Sequence, residues 1–247
     1  MVGLINTIKM KKYELKKIQL NENENINLYL NKKVFAPNLT TFLLIKASKR
    51  IIKKKNKVLE LGCGSGIISN YLYKKKFIKK IYASDISNSA IDCSIFNAVR
   101  NKADYEIKKS KLFDNWKDYK FDFIINDISA VTTKLNPVSE WYEHAPNDSG
   151  SDGIKFTIKI LSEFKKYINK NGKMIIPIIG LANKKKIITY MEKNSIEYKK
   201  MYSQDWPLPK QFYKHKKLLL NLKKKNIIEF EEKFGFLITK TEIYCCY

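Results

Sequence analysis

Asn126, Asp127 and Ser129 sit in the stretch "FDFIINDISAVTT" (121–133), where an apolar run passes into a polar turn. An amide side chain that closes a buried strand needs a hydrogen-bond partner. If that partner is an amide or amine, Asn126 orients its lone pair and Asp127 accepts its proton. If it is a hydroxyl or carboxylate, Asp127 is the candidate base or salt-bridge point. A turn aspartate also bonds its own backbone for local reasons, so a purely structural reading of Asp127 stands beside the chemical one. Ser129 is the candidate substrate contact that follows.

A second group of residues supplies a place for a cofactor. In "VLELGCGSG" (58–66) a β-rich run ends at Leu61, and Gly62, Gly64 and Gly66 follow at alternate positions. Glycines at this spacing let the backbone turn sharply and approach a ligand without side-chain interference. The dinucleotide fingerprint calls for a glycine at position 67, where this chain has Ile. Asp85 closes the next apolar run, "IYASD", 19 residues after Gly66. An acidic residue there accepts hydrogen bonds from ribose hydroxyls. Each piece has an ordinary explanation alone, as a strand-to-helix turn or a helix cap. The three together are hard to assemble by accident.

The spacing Glu-x-Gly-x-Gly-x-Gly resembles the first motif of class I S-adenosylmethionine-dependent methyltransferases. The resemblance implies that Glu60 faces the cofactor's ammonium through water, that Gly62, Cys63, Gly64 and Gly66 pack beside its methionine part, and that Asp85 and Ile86 hold the nucleoside. Three further stretches resemble the branch that methylates planar amide or amine nitrogens, including the release-factor glutamine methyltransferases and nucleic-acid-modifying relatives. They are "VFAPNLTTFLL" (34–44), "KFDFIIND" (120–127) and "GSDGIKFTIKILSEFKKYINKNGKMII" (150–176). In the first, Phe35, Pro37 and Thr41 are implied to close over the cofactor. In the second, Asn126 lies between cofactor and acceptor.

Two departures mark this chain. The relatives' turn reads Asn-Pro-Pro-Tyr, with the ring stacking on the acceptor plane; here it is Asn126, Asp127, Ile128, Ser129. Trp141 or Tyr142 is left to supply a platform, and Trp206, braced by Pro207, to form a lid. In "KKSKLFD" (108–114) Lys111 stands where relatives carry an acid for the adenine amino group, and a lysine cannot accept that bond. Adenine then rests on backbone groups and on Leu112 and Phe113. The resemblance implies a methyltransferase acting on a protein side-chain nitrogen of the glutamine type. Alternatives are an RNA or DNA base, a small molecule, or a binding protein that has lost catalysis.

The chain has 247 residues, 44% of them hydrophobic, enough for a full core. No apolar window approaches a membrane span, and the start lacks a secretion pattern, so a soluble, cytoplasmic protein is expected. Four cysteines and two histidines show no metal-ligand spacing. The charge of +24 points to a polyanionic partner such as RNA. It fits equally well the Lys, Ile and Asn usage of an AT-rich genome.

The elements that must position these residues follow a rhythm. From residue 57, apolar β-rich runs alternate with amphipathic ones at 67–76, 88–100, 153–168 and 183–194, with a further strand at 105–109. Such alternation predicts a doubly wound, mostly parallel sheet, seven-stranded in the family it resembles, with helices on both faces. "NIIEFEEK" and "FGFLITKTEIYCCY" suggest a closing hairpin. Before the sheet stand two strands joined by "NENEN", and a helix over 38–54 capped by Asn38 or Thr40. Residues 1–36 read as an N-terminal extension and 37–247 as the methyltransferase domain. Residues 128–152 and 203–213 read as long irregular segments, with Asp152 capping the helix at Gly153. Oligomeric state is not legible.

Overall fold

The computed structural model describes residues 13–21, 24–75, 78, 80–128, 130–142 and 147–247. Strands β1 (Glu14–Asn21) and β2 (Glu24–Leu30) form an antiparallel hairpin, followed by helix α1 (Leu39–Ile51). Next come β3 (Lys57–Leu61), α2 (Ile67–Lys74), β4 (Lys80–Asp85), α3 (Asn88–Arg100), β5 (Glu106–Lys109) and β6 (Phe121–Asn126). Then follow α4 (Lys155–Glu163), β7 (Ile168–Ile179), α5 (Lys184–Lys193), β8 (Tyr198–Pro207) and α6 (Lys216–Lys224), and the chain ends in β9 (Glu231–Lys233) and β10 (Phe236–Cys246).

The main sheet runs β5-β4-β3-β6-β7-β10-β8, with short β9 added on β10. That is the expected seven-stranded path plus one. β3 pairs in parallel with β4 and β6, β4 with β5, and β6 with β7. β10 is antiparallel to β7, β8 and β9. The strand order reverses between β3 and β6, and an open α/β sheet leaves a crevice at the carboxyl ends of such a pair. The glycine turn leaves β3 at that point, and the Asn126–Asp127 turn leaves β6 beside it.

Two apolar layers hold the sheet. On one face Leu43, Leu44, Ile68 and Tyr71 pack on Ile125, Ile175 and Ile243. On the other Ile160, Phe164, Ile187 and Met191 pack on Leu59, Leu61, Ile124 and Met174. Each such side chain stabilises by about 1.5–3 kcal/mol when fully buried. Ile26 and Leu28 of β2 join the first layer, tying the hairpin to α1 and α2.

Helix starts follow from local chemistry. Asn38 Oδ1 accepts from the amides of Thr40 and Thr41, as expected of an N-cap, and Ser87 and Asn183 cap α3 and α5 in the same way. Asp152 does not cap α4, contrary to expectation. Its carbonyl accepts from Asn183 N and its carboxylate pairs with Lys186 at 2.8 Å, while α4 begins at Lys155 after the residue Ile154. Residues 203–207 are also not irregular. They complete β8, whose register with β10 runs from Tyr198 to Pro207, with proline placed at the strand's end where a missing amide is tolerated.

Candidate active site

A cavity of about 420 Å³ opens at the carboxyl ends of β3, β4 and β6. Its floor is the glycine turn. Gly62, Gly64 and Gly66 hold φ of 76°, 51° and 75°. At Gly62 the requirement for glycine is absolute in practice: a Cβ would lie 2.7 Å from Ile128 Cγ1 and 3.0 Å from Ile128 N. The two turns therefore touch, and Asp127 N donates to Leu61 O at 2.9 Å to fix them together. Gly66 plays a different part, since its Cβ would strike Ser94, Tyr105 and Asn70, and it packs behind the turn without lining the cavity.

Asp85 lines the cavity and braces the glycine turn at the same time. One carboxylate oxygen accepts from Gly64 N at 3.0 Å and the other from Ser87 N at 2.9 Å. Burial pushes its pKa up, and these backbone donors pull it back. Ile86, beside it, is half-exposed on the cavity wall. Cys63 also lines the cavity. Burial raises its thiol well above the usual range, which disfavours the thiolate.

Glu60 lies elsewhere than the resemblance implied. Side chains alternate along a strand, and with Leu59 and Leu61 facing the α4–α5 layer, Glu60 turns to the α2 side. There its carboxylate accepts from Ser69 N at 3.0 Å and from the Ser69 hydroxyl. It is 1% exposed and does not line the cavity. Burial raises its pKa to about 8, the Ser69 bonds opposing. It ties β3 to the first turn of α2, with a raised pKa that favours the protonated form at neutral pH.

The turn after β6 divides its functions between neighbours. Asn126 is 1% exposed and outside the cavity lining; its Oδ1 accepts from Ile128 N at 3.1 Å, closing the turn. Its Nδ2 is buried with no partner among the described residues. Asp127 faces the cavity, and the Thr41 hydroxyl donates to its Oδ2 at 3.0 Å. Burial lifts its pKa to about 7, against the lowering effect of that bond. Ser129 lies outside the described residues.

The segment ahead of α1 roofs the cavity. Phe35, Pro37 and Thr41 all line it, and Val34 Cγ1 comes within 3.9 Å of a Cβ built on Gly64. On the far wall Leu112 faces the cavity with φ 51°, held by Ser110 Oγ donating to its carbonyl at 3.0 Å. Phe113 does not face it. It is buried and stacks on Tyr167 at 4.3 Å.

Of the aromatic rings proposed as platform and lid, Trp141 and Trp206 are not brought to the cavity. Trp141 packs on Phe212 at 5.3 Å and on Trp206 at 6.1 Å, and Trp206 Nε1 donates to Thr241 Oγ1 at 2.9 Å. They seal the layer under residues 208–230. The backbone of Tyr142 closes a 3-10 turn at Glu140–Tyr142, and its side chain lies outside the described part of the structure. Sequence reasoning missed Lys155 and Phe156, which line the cavity from the first turn of α4. The available signal was their place just after Gly153, whose φ is 75° and where a Cβ would lie 2.7 Å from Thr132 N, so that only glycine lets the loop fold this closely.

Comparison with known proteins agrees with this geometry. Residues 30–128 match the methyltransferase small domain family. The chain is 31% identical over 172 residues to a putative protein N5-glutamine methyltransferase of Methanocaldococcus jannaschii, covering 69% of this chain and 85% of the relative. It is 29% identical over 155 residues to the release factor glutamine methyltransferase of Geobacter sulfurreducens, 60% of this chain and 55% of that protein, so it spans about half of the latter's length. A ribosomal protein L11 methylase from Lactobacillus delbrueckii subsp. bulgaricus shares the fold, with TM-score 0.57 at 19% identity over 94% of this chain and 98% of that one. With a glycine turn and an acidic strand end at the sheet's switch point and a relative of this identity aligned over most of its length, the chain belongs to the class I methyltransferases, in the family that includes the N5-glutamine methyltransferases.

Proposed function

We propose that the cavity binds S-adenosylmethionine and that the protein methylates the amide nitrogen of a glutamine-type side chain on a protein substrate. The observation that carries this reading is the Asp127 carboxylate, facing the cavity beside Gly62 and held by Thr41. The residues present suit the cofactor. Carboxylates at Asp85 and Asp127 favour a cationic ligand, and Gly62 and Gly64 leave room that a Cβ would take or strain. Ile86, Leu112, Pro177 and Ile179 give apolar walls for a nucleoside base. Lys111 lines the cavity as well, so the adenine amino group must find a backbone acceptor.

S-adenosylmethionine supplies an electrophilic methyl group on a sulfonium, and its transfer is an in-line displacement that leaves a neutral thioether. The protein's task is to align the acceptor and exclude water. Asp127 accepts hydrogen bonds from the acceptor's NH2. Asp127, whose pKa is raised to about 7, would take the proton that the acceptor nitrogen must lose on methylation. Asn126 lies behind the lining and acts through the turn, its Oδ1 accepting from Ile128 N to hold Asp127 toward the cavity. In relatives with Asn-Pro-Pro-Tyr the rigid turn and ring hold the amide plane; here the Thr41–Asp127 bond takes over part of that positioning.

A second reading, transfer to an RNA base nitrogen, is favoured by the net charge of +24. Incubation with radiolabelled S-adenosylmethionine and a cell extract, partitioned into protein, RNA and small molecules, separates the two. Label in protein, lost in Asn126→Ala while cofactor affinity is kept, is expected. Label confined to RNA or to small molecules would overturn the glutamine reading.

A further inference from the structure

Phe234 is 98% exposed and Phe236 53% exposed at the tip of the β9–β10 hairpin. Phe234 also holds φ 51°, a left-handed conformation that costs a non-glycine residue on the order of 1 kcal/mol. A large ring kept in water on a strained turn contributes nothing to the fold.

The surface behind that tip is cationic. The Lys223 ammonium lies 4.9 Å over the Phe230 ring, at the C-terminal end of α6. Three residues on, Asn226 closes a groove of about 330 Å³ against α5, where it meets Lys185, Lys186, Tyr190 and Lys193. The segment 223–234 therefore runs from groove to hairpin tip. Lys185, Lys193, Lys224 and Lys225 are exposed and have no acidic partner among the described residues. Glu231 and Glu232 are paired with Lys233 and Lys216, which leaves Glu229 as the remaining exposed acid of that segment. Lys186 pairs with Asp152, three residues before the cavity-lining Lys155, so the groove adjoins the rim of the active site.

We propose that this face, formed by α5, the end of α6 and the β9–β10 tip, docks single-stranded RNA. Unpaired lysines meet phosphates, and an exposed ring at the end of the row stacks an unpaired base. Lys185, Lys186 and Lys193 line the groove beside the Tyr190 ring, and a second, fully exposed ring at Phe234 favours stacked bases over an acidic peptide. Asn183, Thr189 and Asn226 line it too, and such amides and hydroxyls suit 2′-hydroxyl contacts. The proposal is independent of which acceptor the active site methylates.

Fluorescence anisotropy of a labelled oligouridine with the full chain tests it, across a range of salt. Affinity is expected to fall with salt. The double variant Lys185→Gln/Lys193→Gln should lower the slope of log affinity against log salt by about 1.4, at about 0.7 per single-strand phosphate. Phe234→Ala, at a fully exposed site that leaves the melting temperature unchanged, should weaken binding about fivefold or more with the slope unaltered. Wild-type affinity in both variants would overturn the proposed face. Equal affinity for the matching oligothymidine, or equal competition by poly-glutamate, would overturn the assignment to RNA.

Discussion

The hydroxyl of Thr41 donates to the carboxylate of Asp127 at 3.0 Å, linking the first turn of α1 to the bend after β6 across 86 residues of sequence. Two cavity walls that meet only in the folded chain are thereby tied at one carboxylate. The bond stabilises the charged form of the acid, but burial outweighs it and raises the pKa from 3.8 to about 7.

Thr41→Val removes that donor. The Asp127 pKa should then rise further above 7, because burial and the nearby Asp85 charge are left unopposed. A rate that needs ionised Asp127 is lost as pH falls through its pKa, so the acid limb of the pH profile for methyl transfer moves to higher pH. Cofactor affinity above pH 8 should change little. An unmoved limb would remove Asp127 as the titrating group.

Asp127→Asn should separate stability from activity. The folded pKa lies above the unfolded one, so this residue's contribution to stability is present in full below pH 4 and lost as pH rises through about 7. The asparagine variant, which carries no charge to bury, should be more stable than wild type at pH 8, on the order of 1–2 kcal/mol. At pH 4 the difference should vanish. Transfer should fall by about 10²–10⁴. Thermal melts at the two pH values, with initial rates, check both halves.

Gly62 and Gly64 should respond differently to alanine. At Gly62 the new Cβ meets Ile128 backbone and side chain, in a left-handed conformation, so Gly62→Ala should cost about 2–4 kcal/mol of stability. At Gly64 the nearest atom is Val34 Cγ1 at 3.9 Å, so Gly64→Ala should cost only about 1 kcal/mol while projecting a methyl into the cofactor space. A folded Gly64→Ala protein with wild-type cofactor affinity would place the ligand away from this turn.

Much of this was legible in sequence. Helix α3 spans 88–100 as its apolar spacing predicts, Asn38 caps α1, and the glycine turn leaves β3 where the spacing puts it. What failed were side-chain directions. Sequence shows that Glu60 precedes the turn, but the pleat sends it to Ser69, and one residue of register decides between cofactor and core. The stretch Ser203–Trp206 looks irregular because it is polar and abuts Pro207. It is a strand because β10 offers it a full edge. Trp141 and Trp206 look like a lid because they are aromatic residues in loop-like segments; the layer of Phe212 and Leu219 claims them instead.

Glu60→Gln tests the revised place of that residue. An acid whose raised pKa favours the protonated form, bonded to Ser69, is closely matched by an amide. Below pH 7 the variant should therefore keep both stability and affinity for S-adenosylmethionine within about twofold. A loss of affinity above tenfold would instead mean that a charge on Glu60 engages the cofactor.

Isothermal titration of the purified protein with S-adenosylmethionine, and with its demethylated product, bears most directly on the cavity's role. Saturable binding of both at one site per chain is expected, weakened in Gly64→Ala. No heat with either nucleoside, from protein shown to be folded, would contradict it.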